Sequence, residues 1–260
     1  MNLFDTHAHY DDSRFEPDRD QVISALPDAG ISLVLCPGCN LRSSRAVISL
    51  ADRYPFLYAA VGIHPHDAHE MSQDDLPELE RLAAHHKVRA LGEIGLDYHY
   101  NFSPQDKQLF CFRSQMELAE TLHLPVIIHD REAHEDTLRV VKDFKNVRGV
   151  FHCYSGSLET AKTLVNLGYY ISFTGVVTYK NARRVLEAAA WLPTEYLLLE
   201  TDAPYLTPEP HRNRRNDSTY LHLICETLAA LRGVSAEELA EQTTKNAKML
   251  FGIPPCADCP

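Results

Sequence analysis

Short apolar runs alternate with amphipathic stretches along the whole chain. The runs occupy residues 2–7 (NLFDTH), 31–37 (ISLVLCP), 58–65 (YAAVGIHP), 88–97 (VRALGEIGLD), 125–130 (PVIIHD), 149–156 (GVFHCYSG), 169–175 (YYISFTG) and 196–204 (YLLLETDAP). Each is brief, bounded by Gly, Pro or polar residues, and mostly apolar throughout, the pattern of strands buried on both faces. Between them lie helical segments. Ser103-Pro104 has the form of an N-cap followed by an N1 proline, and Leu109, Phe112, Met116 and Ala119 then make an apolar stripe. Residues 157–167 form a second helix closed by Gly168, and Ser235-Ala-Glu-Glu238 has capping-box spacing ahead of a third. Eight strands alternating with helices predict an α/β fold of the (β/α)8, TIM-like barrel type. It is expected as a single domain over residues 1–260, with 253–260 a loose C-terminal tail. A doubly wound open sheet is the competitor. Its nucleotide-binding versions lose weight because no G-x-G-x-x-G follows the first strand and no P-loop motif occurs.

Composition adjusts this picture only in places. At 260 residues with 45% apolar content, the chain can bury a sizeable core. No stretch has the roughly 18 continuous apolar residues of a membrane span, and the polar DTHAHYDD begins where a signal segment would be apolar. A cytoplasmic protein without a membrane partner is therefore expected, and nothing marks an obligate protein partner. A net charge of −11 argues against a broad surface that coats nucleic acid, yet leaves room for a small site of reversed field. Seven cysteines, an odd number, argue against a disulfide framework. The pairs Cys36/Cys39 and Cys256/Cys259 are read as reduced thiols, with a four-thiolate zinc site as the minor alternative.

Candidate chemistry gathers at the strand ends. His7-x-His9 is weak alone, because 14 His in 260 residues give roughly 0.75 such pairs by chance. Its context strengthens it. The first run ends in His7 and His9, the fourth carries Glu93, the fifth ends in His129, the sixth leads to His152 and the eighth to Asp202. In a barrel these ends converge on one mouth, where uncompensated imidazoles and carboxylates would be costly to bury. Glu93 between two glycines in GEIG needs a partner, and Gly95 indicates close approach of a neighbour. Four imidazoles and two carboxylates exceed the needs of one tetrahedral zinc, so two divalent ions sharing a carboxylate is the economical count. Nitrogen and oxygen ligands without thiolate suit Zn, Mn, Ni or Mg, and sequence does not choose among them.

These residues also carry a family resemblance. DTHAHY, GIHPH, GEIGLDY, PVIIHDREAH, FHCYSGS, YYISFTGVVTY and LLLETDAPYL, in order from residue 5 and followed by NAKMLFGI, resemble the signature segments of the TatD family of metal-dependent hydrolases within the amidohydrolase superfamily. The resemblance implies a TIM-like barrel and a divalent-metal-dependent deoxyribonuclease, often a 3′→5′ exonuclease on single strands, so DNA 3′ ends are the implied substrate. It also implies that His7, His9, Glu93 and Asp202 hold one ion and that Glu93, His129 and His152 hold the second, with Glu93 as the bridge. One departure lies after the eighth run. Arg215-Asn216 keeps half of an Arg-Asn-Glu-Pro pattern, but Asp217-Ser218 replaces the acidic-proline pair.

In the expected mechanism Asp202 is both ligand and general base. His64 is either a phosphate or leaving-group contact or a structural histidine. Arg131 either grips a phosphate or makes a surface ion pair. Arg215, with Arg212 and Arg214, forms the one basic cluster near the mouth and is expected to meet the strand. Two other functions compete: metal-dependent hydrolysis of a small amide, ester or lactone, and a metal-stabilised binding or quality-control role without turnover.

Overall fold

The eight runs form eight parallel strands in a single sheet, paired in chain order from first to last. The strands are β1 (Leu3–Asp5), β2 (Ile31–Pro37), β3 (Leu57–Val61), β4 (Val88–Asp97), β5 (Val126–Arg131), β6 (Gly149–Phe151), β7 (Tyr170–Phe173) and β8 (Leu197–Leu199). The computed structural model describes residues 1–254, so Cys256 and Cys259 of the second cysteine pair lie outside the described residues. Backbone hydrogen bonds close the barrel between its last and first strands. Thr6 N donates to Leu199 O (3.1 Å), Asp202 N to His7 O (2.9 Å) and His9 N to Ala203 O (2.7 Å). The expected (β/α)8 barrel is present.

Helices α1 (Arg19–Ala25), α2 (Leu41–Arg53), α3 (Asp75–Ala83), α4 (Gln105–Leu122), α5 (His134–Asp143), α6 (Leu158–Asn166), α7 (Arg183–Trp191), α8 (Leu221–Arg232) and α9 (Ala236–Leu250) surround it. Two of the expected helix starts are built as capping rules require. Ser157 Oγ accepts from Thr160 N, and Ser235 Oγ accepts from Glu238 N. Gly168, just past α6, sits at φ +83°, where a side chain would be strained. The third start differs. Pro104 occupies the N-cap position of α4 rather than N1, and Ser103 Oγ donates to His66 O at 2.7 Å. Ser103 therefore ties the β4–α4 loop to the segment after β3.

Two apolar layers result. The larger lies between strands and helices. The smaller fills the barrel interior with Phe4, Leu35, Ala60, Ala90, Ile127, Val150 and Leu198 from seven strands, joined by Ala247, Phe251 and Ile253. Phe251 meets Phe4 with ring centroids 6.1 Å apart. Ile253, the first residue of the expected loose tail, is instead buried in this layer, and its N–H bonds to Lys248 O at 3.0 Å. Asn246 on α9 donates to the carbonyls of Thr194 (2.7 Å) and Leu197 (2.9 Å), while Thr244 donates to Asn2 O. Thus α9 plugs the N-terminal end of the barrel and clamps the β8–β1 seam. The opposite end is left for chemistry.

Candidate metal centre

The strands hand their polar residues to that open end. Glu93 sits inside β4, where the β4–β5 ladder is irregular between Leu91 and Ile94, a local break of the kind that re-aims side chains. Gly95 has φ +141°, and a Cβ there would collide with the His129 carbonyl, which confirms the close approach expected of this glycine. His129 lies within β5. His7, His9, His152 and Asp202 all fall just beyond the last regular residue of their strands. Asp5 fixes two of these extensions, because its buried carboxylate accepts from Thr201 N (2.9 Å), Thr201 Oγ1 (2.6 Å) and His7 N (3.3 Å). Burial pushes the Asp5 carboxyl up to about 7 against those hydrogen bonds.

Glu93 is the hub. Its Oε2 lies 3.3 Å from His7 Nε2 and 3.6 Å from His9 Nε2. Its Oε1 lies 2.8 Å from His129 Nδ1, 2.7 Å from His152 Nε2 and 3.3 Å from His64 Nε2. Asp202 Oδ1 approaches His7 Nε2 (3.7 Å) and His9 Nε2 (3.5 Å) from another side. The two oxygens of one buried carboxylate therefore face two nitrogen groups, which adjoin where the His7 and His152 rings stack with centroids 4.0 Å apart.

The donor chemistry fits cations at both places. His7 Nε2 and His9 Nε2 are 3.1 Å apart, as are His129 Nδ1 and His152 Nε2 at 3.2 Å. Ring nitrogens this close must share a proton or a cation between them. The ligand atoms of His7, His9 and Asp202, and those of His7, Glu93 and His152, each lie within 4.8 Å of one another. His7 Nδ1 is buried without a hydrogen-bond partner among the described residues, and His152 Nδ1 has only the Glu200 carboxylate, at 3.4 Å. Burial opposes ionisation of Glu93, but His152, His64 and His7 outweigh it and hold the carboxyl well below its usual range. Burial likewise opposes ionisation of Asp202, and His9 and His7 reverse the balance.

A second tier of carboxylates, not singled out in the sequence, orients these rings. Asp97 Oδ2 lies 2.9 Å from His129 Nε2 and 3.0 Å from His66 Nε2, while its Oδ1 accepts from Tyr100 N at 2.8 Å. Glu200 accepts from Cys153 N and Ser172 Oγ, both at 2.6 Å, and stands 3.4 Å from His152 Nδ1. Carboxylates behind ligating histidines fix ring orientation and tautomer. The available signal is spacing: Asp97 follows Glu93 by four residues and Glu200 precedes Asp202 by two, even spacings along a strand. Cys39, expected only as one of a cysteine pair, has its Sγ 3.8 Å from His9 Nδ1.

The centre opens into a cavity of about 850 Å³. His64 lies at its floor against Glu93, where burial depresses its pKa to about 4 and keeps the imidazole neutral. Arg131 lines the wall, its guanidinium 4.6 Å from the Tyr100 ring centroid. Arg215 does not join them. Its guanidinium bonds bidentately to Asp18 (2.8 Å each) and to Arg14 O (2.7 Å), and stacks on Phe15, so the expected strand contact is instead a clamp on the α1 approach. Arg212 lies over the Tyr179 ring. The adjoining Asn216 donates to Thr201 O and Tyr205 O, pinning the loop after β8 beside Asp202.

Similarity to known proteins extends over nearly the whole chain. A family model described as TatD related DNase matches residues 4–252. The chain is 41% identical over 253 residues to the uncharacterized metal-dependent hydrolase YabD of Bacillus subtilis, covering 96% of this chain and 99% of that protein. It is 37% identical over 259 residues to the 3′-5′ ssDNA/RNA exonuclease TatD of Erwinia tasmaniensis, covering 96% and 100%. The crystal structure of YjjV, a TatD homolog from Escherichia coli K12, superposes with a TM-score of 0.92 at 32% identity, covering 97% and 99% of the two chains.

Proposed function

This chain belongs to the family of TatD-related DNases and is a metal-dependent hydrolase; from that premise we propose that it removes nucleotides from the 3′ end of single-stranded DNA, or of RNA, using two divalent ions. His7, His9, Glu93 and Asp202 hold one ion, and Glu93, His129 and His152 hold the other. The observation that carries this reading is the division of Glu93, with Oε2 toward His7 and His9 and Oε1 toward His129 and His152. Zn, Mn, Ni and Mg all suit such a donor set.

Bound divalent ions supply Lewis-acid chemistry, acidifying water and polarising a phosphoryl oxygen. The chain supplies the rest. Asp202 is the general base: its side chain is 15% exposed against 3% for Glu93, so it is the carboxylate of the pair that a water in the cavity can reach. Held ionised by His9 and His7, it accepts the proton of the attacking water. His64, buried and neutral, faces the same floor and contacts a phosphate oxygen or the leaving group. Arg131 grips a neighbouring phosphate from the wall. An open cavity of about 850 Å³ with a guanidinium on its wall favours a phosphodiester over a small amide, ester or lactone. Among the described residues no helix is long and apolar enough to cross a membrane.

The test is metal analysis joined to digestion of a 5′-labelled single strand with a free 3′ hydroxyl. We expect a ladder shortening from the 3′ end that requires divalent metal, and about two ions per chain. Glu93→Ala should abolish both. Asp202→Asn should lower kcat by at least about a hundredfold while retaining some metal. Full activity in Glu93→Ala, or unchanged kcat in Asp202→Asn, overturns the corresponding assignment.

A further inference from the structure

Each of the four imidazoles assigned to the ions has a far ring nitrogen turned away from them, and these far nitrogens are not supported alike. Asp97 stands behind His129, 2.9 Å from Nε2, and Glu200 stands behind His152, 3.4 Å from Nδ1. Behind His9 there is a thiol instead, with Cys39 Sγ 3.8 Å from Nδ1. His7 Nδ1 has no hydrogen-bond partner among the described residues. Carboxylates therefore back the two rings that face Glu93 Oε1, and a thiol alone backs the two that face Oε2.

The thiol is held in that place. Cys39 lies in the turn between β2 and α2, and the turn is tied to the centre on both sides of it. Gly38 O accepts from Glu93 N (3.0 Å), and Cys39 O accepts from His64 N (2.8 Å). Cys39 N donates to Ser43 Oγ (3.1 Å) in the first turn of α2, and Asn40 caps that helix by accepting from Ser43 N (3.0 Å). A Cβ on Gly38 would collide with Ser44, so the turn packs directly on the helix start. Cys39 also borders the cavity over the centre.

A carboxylate on the far nitrogen of a ligating imidazole fixes the proton there and raises the basicity of the near one. A thiol sulfur is a weak acceptor and does both less well. We propose that Cys39 is the positioning residue for His9, accepting its Nδ1–H so that Nε2 faces the ion, and that this weaker support makes the place held by His7, His9 and Asp202 the lower-affinity one of the two. The proposal rests on the two-ion reading above and adds which place fills last and what sets the order. Asp202, the general base, belongs to the place that fills last, so turnover should follow the second ion and not the first.

The experiment titrates the metal-free full chain with Zn against a coloured chelator. The wild type should bind two ions with Kd values at least about tenfold apart, because a partner on the far nitrogen is worth roughly 10- to 100-fold in metal affinity. Cys39→Ala should weaken the second ion by about tenfold and leave the first unchanged, and Asp97→Asn should do the reverse. Cys39→Asp places a carboxylate with a longer reach behind His9, so it should tighten the second ion and bring the two affinities together. A purely structural role for Cys39 would not produce that gain. Circular dichroism of the metal-free variants should match the wild type. The cobalt-loaded wild type should show no intense sulfur-to-cobalt charge-transfer band, because the sulfur stands behind His9 and not on the ion. Equal affinities in the wild type, an equal loss of both ions in Cys39→Ala, no change in either Cys39 variant, or a charge-transfer band that Cys39→Ala removes would each overturn the assignment and leave the two-ion reading standing. A wild type that binds fewer than two ions would overturn both.

Discussion

Asp97 reaches two imidazoles with one oxygen, and that oxygen sets the proton on His129. With Asp97 ionised, His129 Nε2 carries the N–H and Nδ1 presents its lone pair toward Glu93 and His152. Burial opposes that charge, but His129 and His66 hold the Asp97 carboxyl far below its usual range. Asp97→Asn keeps the shape and removes the charge. Its amide can donate to Nε2, which shifts the proton onto Nδ1, the nitrogen proposed to ligate. We predict a 10- to 100-fold loss of metal affinity, roughly that found for second-tier carboxylates, measured by competition with a coloured chelator. Activity should recover in part at high metal concentration; unchanged affinity would remove Asp97 from this role. At this scale the sequence picked out the candidate ligands more readily than the carboxylates behind them. His7, His9, His129 and His152 stood out because imidazoles at successive strand ends have few uses. Asp97 and Glu200 did not, because spacing alone does not say which carboxylate faces the far nitrogen of a ring. Arg215 misled for a related reason: its target, Asp18, lies 197 positions away in the chain and only folding brings them together.

Elements were legible where both faces of a strand are buried, since continuous apolar runs then leave little doubt. Their ends were not. β1, β6 and β8 are three residues each; His7 and Asp202 lie past the regular ladder on segments held by Asp5, Thr201 and the seam hydrogen bonds, and His152 on one held by its N–H on Ile128 O. The role of α9 was equally hidden, because helical periodicity marks an apolar face without saying what it covers. It covers the barrel floor. Phe251 is 2% exposed and packs on Phe4 within a narrow interior layer built partly of alanines, Ala60 and Ala90, that cannot expand to refill a void. Phe251→Ala should therefore cost about 3–5 kcal/mol and lower the thermal midpoint by roughly 10 °C, read by circular dichroism. Because the floor lies at the end of the barrel away from the centre, kcat per folded molecule should stay close to wild type. A large loss of kcat with an unchanged midpoint would contradict this division between floor and mouth.

Across the whole molecule the chain carries 11 more acidic than basic charges, yet it gathers a cluster of buried imidazoles and carboxylates at one end of the barrel. Without cations, that end holds Glu93 and Asp202 among five crowded imidazoles, His7, His9, His64, His129 and His152, with ring nitrogens of different residues as close as 3.1 Å and 3.2 Å. With cations the same groups become mutually supportive, so metal binding and folding stability are linked. Anything that binds the native state alone stabilises it by RT ln(1 + [L]/Kd), about 4 kcal/mol at a thousandfold excess over Kd. For a chain of this length that is a shift of roughly 10 °C. Dialysis against a chelator should lower the thermal midpoint by about that amount, and returning Zn or Mn should restore it in a concentration-dependent way. The Glu93→Ala protein separates this effect from nonspecific ion binding at the acidic surface. It lacks the shared ligand, so its midpoint should respond little to metal while surface binding persists. An equal metal-induced shift in both proteins would place the stabilising ions outside the barrel mouth.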